Sequence, residues 1–99
     1  MVLIQINFDF PAEMMGDALT NGAKQLAESI NNEDGFVSKI WIENTETEES
    51  GGIYLFKDMA SAEKYAQMHV KRVEVMGAKN ITSKFFNVNE TLSIINHGI

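Results

Sequence analysis

The chain has 99 residues, 44% of them hydrophobic, with 14 acidic against 8 basic side chains and a formal net charge of −6. That length predicts one domain, small enough to bury only roughly 60–65% of its unfolded surface, so a second copy of the chain is one way to complete the core. There is no cysteine, which excludes disulfides, cysteine-bound zinc, iron–sulfur clusters and thiol nucleophiles.

The acidic balance argues against nucleic acid, because neutralising phosphates takes clustered Lys and Arg. The opening MVLIQINFDFP lacks the basic start of a signal peptide. No apolar run nears the ~20 residues of a membrane span. A cytoplasmic protein with neither membrane nor nucleic acid as partner is expected.

Residues 2–10 alternate: Ile4, Ile6, Phe8 and Phe10 share one face, and Leu3, Gln5, Asn7 and Asp9 the other. This is the period of a strand with one strongly apolar side. Pro11 ends it, and Met15, Leu19, Leu26 and Ile30 predict a helix over 12–31 that Gly16 and Gly22 weaken. Residues 31–35, NNEDG, stop that helix. Strand two is read at 36–44, a hairpin loop at 45–49 and strand three at 52–57. Asp58 is set to cap a second helix over 59–76, and strand four follows at 79–89. The tail, 90–99, is expected to hold a helical turn. The acidic run 43-ENTETEES-50 reads either as a cation site or as a solvated hairpin tip, and the second is the ordinary outcome of such a run.

The order βαββαβ predicts an α+β, ferredoxin-like sandwich: a four-stranded antiparallel sheet with two helices on one face. Within it, 49-ESGGIYLF-56 poses a choice. Glycines that cradle a phosphate lead into a helix N-terminus. Gly51 and Gly52 lead into a strand, where missing side chains permit close approach. That strand does not alternate apolar with polar, since Ile53 and Leu55 oppose Tyr54 and Phe56. Helices cover one face of the sheet, so something must cover the other. RNA stacked on Tyr54 and Phe56 is disfavoured by the charge and by the lack of a basic lead-in to the strand. A second sheet is favoured, giving a homodimer with an eight-stranded, barrel-like core.

In the second helix Ala62, Ala66, His69, Val73 and Met76 form the core-facing seam, with an imidazole where a Leu is ordinary. His69 is either a buried histidine with one satisfied hydrogen bond or a polar group aimed into a cavity between helix and sheet, able to act as base, acid or hydrogen-bond donor. Trp41 and Tyr54 each join a large apolar area to a donor, and are read as packing or as walls of an aromatic-ligand pocket. Asn7 is read first as a strand hydrogen-bonding residue.

The runs 26-LAESI-30, 35-GF-36, 39-KIWIE-43, 51-GGIYLF-56 and 86-FNVNETLSIIN-96, with Tyr65, His69 and Arg72, resemble the putative mono-oxygenase YdhR family over nearly the whole chain. The resemblance implies the dimeric α/β-barrel superfamily, which includes cofactor-independent mono-oxygenases. It implies His69 as the catalytic residue and Trp41, Tyr54, Phe56 and Asn7 around a small aromatic ligand. Haem-degrading relatives use a Trp near the end of strand three where this chain has Phe56, which argues against haem degradation. No cofactor and no metal are implied. A phenol or hydroquinone would itself reduce O₂, with His69 taking the phenolic proton. The alternative is a non-catalytic dimer that binds a small aromatic or apolar metabolite in the same pocket.

Overall fold

A computed structural model describes all residues, Met1–Ile99. Four strands, β1 (Val2–Asp9), β2 (Phe36–Asn44), β3 (Glu49–Phe56) and β4 (Lys79–Asn87), form one antiparallel sheet in the order β2-β3-β1-β4. The helices are α1 (Asp17–Gly22), α2 (Lys24–Ile30), α3 (Met59–Val75) and α4 (Glu90–Ile95). Each half of the chain carries one crossover, so β1 and β2 flank β3, and β3 and β4 flank β1. The ferredoxin-like α+β architecture expected from the element order is present.

The first helical region departs from expectation. Instead of one helix over 12–31, a single 3-10 turn (Ala12–Met14) is followed by two short helices. Gly16, at φ 63°, turns the chain into α1. Ala23, at φ −110° and ψ 7°, leaves helical geometry and separates α1 from α2. The break follows Gly22, where helix propensity is weakest. By contrast α3 forms as read: Asp58 accepts a hydrogen bond from the Ser61 N–H at 2.8 Å, capping its N-terminus. β3 begins at Glu49 rather than residue 52, because the 45–48 turn is closed locally by Asn44, whose Oδ1 accepts from Glu46 N and Thr47 N. The acidic tip is exposed, and two carboxylates of the hairpin hold the segment after β1: Glu48 accepts from Ala12 N in the 3-10 turn and Glu43 from Gly16 N at the start of α1.

Register assigns every strand residue to a face. Val2↔Phe56, Ile4↔Tyr54 and Ile6↔Gly52 lie on the helix side, and Leu3↔Leu55, Gln5↔Ile53 and Asn7↔Gly51 on the open side. On the helix side Val2, Ile4, Ile6, Tyr54 and Phe56 pack with Ile30, Ala62, Tyr65 and Ala66 as the main core. A second cluster of Phe10, Met15, Val73 and Ala78 closes the other end. Met76, placed on the α3 seam by periodicity, lies past the helix end and is exposed.

Candidate functional site

Three side chains one to two turns apart on α3, Tyr65, His69 and Arg72, form a stripe against the sheet. The Tyr65 ring stacks on His69 at 5.1 Å between centroids, and Tyr54 from β3 stands edge-on to His69 at 5.8 Å. β2 contributes alternate residues from the same face: Lys39 pairs with Tyr54, and Trp41 with Gly52. The Lys39 Nζ lies 3.3 Å from the centre of the Trp41 ring and 4.7 Å from that of Tyr54. His69, Tyr54, Lys39 and Trp41 line a cavity of about 30 Å³, roofed by Leu19 and Leu26, with Tyr65 and Arg72 packed against His69 from outside it.

The two glycines create this arrangement. A Cβ on Gly51 would stand 2.0 Å from the Ile6 carbonyl oxygen, so only glycine lets β3 approach β1 there. A Cβ on Gly52 would stand 2.8 Å from the Tyr54 ring and 2.9 Å from the Lys39 Cε. Gly52 therefore leaves space that the Lys39 stem and the Tyr54 ring occupy. The glycines serve close packing and a cavity, not a phosphate.

Arg72 fixes the tautomer of His69. Its Nη2 lies 2.9 Å and its Nε 3.3 Å from His69 Nδ1. A guanidinium can only donate, so Nδ1 accepts and the neutral ring carries its proton on Nε2. Burial, reinforced by the charges of Lys39 and Arg72, lowers the His69 pKa to about 3. His69 thus presents a hydrogen-bond donor at neutral pH. Of the roles open to it from the sequence, this arrangement favours the donor, because an imidazolium here would lie beside two other basic groups. Burial also pushes the phenols of Tyr54 and Tyr65 upward, keeping both protonated. The Arg72 Nη2 lies 3.5 Å from the Tyr65 hydroxyl.

Of the residues singled out in the sequence, His69, Tyr54 and Trp41 come together at the cavity. Phe56 does not: it is buried between Phe36 and Tyr65, with centroids at 5.9 and 5.2 Å, as core. Asn7 lies on the opposite face of the sheet, where its Oδ1 is buried without a hydrogen-bond partner. It is separated from His69 by the sheet and forms no part of this cavity. Lys39, Tyr65 and Arg72, part of the family resemblance but not singled out as site residues, also belong to this cluster. Their physical signal was available: Lys39 shares its strand face with Trp41, and Tyr65 and Arg72 fall four before and three after His69.

No group of three or more His, Cys, Asp or Glu side chains is arranged to hold a metal ion, and no helix is long and apolar enough to cross a membrane. No curated protein matches the chain. Among solved structures it resembles a putative antibiotic biosynthesis monooxygenase from Deinococcus radiodurans, with a TM-score of 0.66 and 10% identity, over 90% of this chain and 93% of that one. At that identity the likeness shows the shared fold. The family profile described as putative mono-oxygenase ydhR matches residues 3–99. The chain belongs to the putative mono-oxygenase ydhR family.

Proposed function

We propose that the protein is a cofactor-independent mono-oxygenase acting on a small phenol or hydroquinone. Membership of a mono-oxygenase family supports the reaction class. One observation carries the substrate class: the cavity has aromatic walls, and its polar side chains, Lys39, Ser50, Tyr54 and His69, include no carboxylate. Such a lining favours an aromatic ring that becomes negatively charged as it reacts. Trp41 and Tyr54 hold the ring, and His69 Nε2–H donates to the phenolate oxygen. Electron density pushed into the ring is then available to O₂. A phenol with a free para position would give a quinone and water, one oxygen atom going to each: substrate plus O₂ yields the oxygenated product, two hydrogens lighter, plus H₂O.

A cavity of about 30 Å³ holds a water or two, whereas one on the order of 150 Å³ is needed for a benzene ring. Trp41 separates it from an open groove of about 240 Å³ lined by Leu19, Thr20, Ala23 and Glu43. The ring therefore enters as Trp41 and the Leu19 segment part. The same proposal includes the homodimer and the cytoplasmic setting expected from the sequence. Support for the dimer is the open face of the sheet, where Ile40 is 63% and Phe86 49% exposed beside Leu3, Ile53 and Leu55.

The test is a panel of phenols and hydroquinones incubated under ¹⁸O₂, scored by oxygen uptake and by label in the product. One labelled atom per product is expected, with His69→Leu, which has no donor, slower by ~10²–10³-fold, the usual cost of losing an oxyanion donor. A wild type that binds these phenols tightly and oxidises none would replace this reading with the non-catalytic binding protein.

A further inference from the structure

We infer that Lys39, rather than His69, takes the proton of a phenol bound in this cavity and remains beside the phenolate as its counter-ion. The inference rests on the phenol reading of the site and names the group that reading leaves open. His69 is not free to accept that proton, since its Nδ1 is engaged by Arg72 and its Nε2 already carries a proton. Tyr54 and Tyr65 are held protonated by burial. The amine on β2 is the remaining group at the cavity able to gain a proton from a phenol.

The geometry suits an amine that changes charge. The stem of Lys39 crosses the sheet through space kept clear by Gly52, where a Cβ would meet its Cε at 2.9 Å. Its Nζ stops over the indole of Trp41, at 3.3 Å from the ring centre. A ring face accommodates an ammonium without supplying an acceptor for its protons, so the acceptor is left for the ligand to provide. Every neighbouring element agrees. α3 presents the His69 ring, held on its Nδ1 by the Arg72 guanidinium behind it; β3 presents the Tyr54 ring; α1 and α2 present Leu19 and Leu26. No carboxylate lines the cavity; Glu28 and Glu43 line the grooves on either side of Lys39 and Trp41, and neither forms an ion pair with Lys39. Lys39, without a carboxylate partner, thus faces an aromatic cavity, and the Arg72 guanidinium lies behind His69 at its edge, in a chain whose net charge is −6. Burial, reinforced by Arg72, lowers the Lys39 pKa to about 7, so near neutrality a large share of the amine is unprotonated and ready to accept.

In the step itself the phenolic O–H bond breaks and an N–H bond forms at Nζ. The oxygen keeps the electron pair, and an ammonium–phenolate pair replaces an amine and a phenol. No oxidant takes part until O₂ meets the phenolate.

Two measurements decide the matter, and neither needs turnover. Lysine ¹³Cε NMR across pH should show one resonance, absent in Lys39→Met, with its midpoint near 7, as the lowered pKa requires. Arg72→Met should move that midpoint upward. Binding of 4-nitrophenol, whose phenolate is yellow, should lower the pH at which the ligand ionises by about one unit or more, given two nearby cationic groups. Lys39→Met should lose most of that shift. Lys39→Arg, which keeps the charge but cannot act as a base, should retain phenolate binding. It should also lose ~10²–10⁴-fold in any phenol oxidation seen at neutral pH. A Lys39 midpoint grouped with the other lysines, or 4-nitrophenol that fails to bind or binds only as the neutral phenol, overturns the inference. A wild type that passes both tests yet oxidises no phenol would defeat the mono-oxygenase reading and leave the role of Lys39 standing.

Discussion

The two faces of the sheet are built from the same strands and carry opposite kinds of incompleteness. On the helix face, β3 buries Ser50, Tyr54 and Phe56, and polar groups sit deep among aromatic rings around a small void. On the open face, Ile53 and Leu55 are only partly covered, and Ile40 and Phe86 are largely in water. Apolar area left in water is a problem of assembly, met by adding a surface. Polar groups held out of water are costly unless something binds them, so they point to a site. Asn7 and His69 mark the same contrast, each a polar side chain at a helix or strand position that could have been apolar. His69 is served by Arg72 within the chain. Asn7, facing the other way, has a buried oxygen with no partner at all.

The pair Gly51–Gly52 joins the two faces, and substitution there should have the largest effect. Gly51→Ala places a Cβ against the backbone of β1, at 2.0 Å from the Ile6 oxygen, which no rotamer change can relieve. A loss of ~3 kcal/mol or more is expected, at the upper end of overpacking, read as a fall in the urea midpoint. Gly52→Ala meets the movable end of Lys39 and the Tyr54 ring, so about 1–2 kcal/mol is expected, together with altered ligand binding. Equal effects at the two positions would show that the faces are not separately constrained.

The proposed assembly uses the open face alone. Ile53→Lys, opposite Gln5 and Ile40 in the register, should convert the proposed dimer to a monomer in sedimentation at micromolar concentration. The cavity on the far side should still bind 4-nitrophenol. A wild type that sediments as a stable monomer would remove the dimer and require another cover for Ile40 and Phe86.

How much of this was legible in the sequence follows from which interactions are local. The strands, the capped α3 and the crossover order were readable because alternation, the Asp58 cap and the flanking turns are encoded within a few residues. The face of His69 was readable from the Ala62–Ala66–His69–Val73 spacing. Which of its possible roles is favoured was not, because that depends on Arg72 one turn away, whose guanidinium occupies Nδ1. Phe56 and Asn7 were placed at the site through resemblance. Alternation already set Asn7 on the face opposite Ile4 and Ile6, while Phe56 shares the face of Tyr54 and is excluded only by distance along the strand. The break at Ala23 was half-visible: Gly22 weakens a helix, but the sequence alone does not say where the chain will bend.

The buried polar face should also show itself in the pH dependence of stability. The folded state holds His69 with a pKa near 3, whereas the unfolded chain titrates it at about 6.5. Between those values the unfolded state binds more protons, so stability falls as pH drops through that window and is fully present above it. Lys39 acts in the same sense at higher pH, its folded pKa being about 7 against an unfolded value of about 10.4. Two successive losses on acidification are therefore expected, each on the order of 2 kcal/mol after allowing for relaxation and water penetration. His69→Leu should flatten the acidic limb and hold or raise stability near pH 4, while Lys39→Met flattens the alkaline one. Urea midpoints measured every half unit from pH 4 to 10 would reveal both, and an unchanged acidic limb in His69→Leu would mean that His69 ionises freely in the fold.

The smallest effect concerns the roof of the cavity. Leu19 and Leu26 cover it from two short helices joined at Ala23, and the open groove beside Trp41 runs along the same segment. Gly22, just before the joint, has no atom within 4 Å of a built Cβ and an ordinary φ. Gly22→Ala should therefore fold without strain and gain roughly 0.4–1 kcal/mol by restricting the unfolded chain and favouring helix. If a ring reaches the cavity by parting Leu19 from Trp41, a stiffer joint should slow entry several-fold while leaving the cavity-lining side chains in place. Stopped-flow binding of 4-nitrophenol gives both numbers: a lower association rate with a proportionally lower dissociation rate locates the entrance at α1 and α2. Unchanged rates in a measurably stabilised variant would place the entrance elsewhere, on the side of the cavity where Phe10, Val73 and Met76 meet.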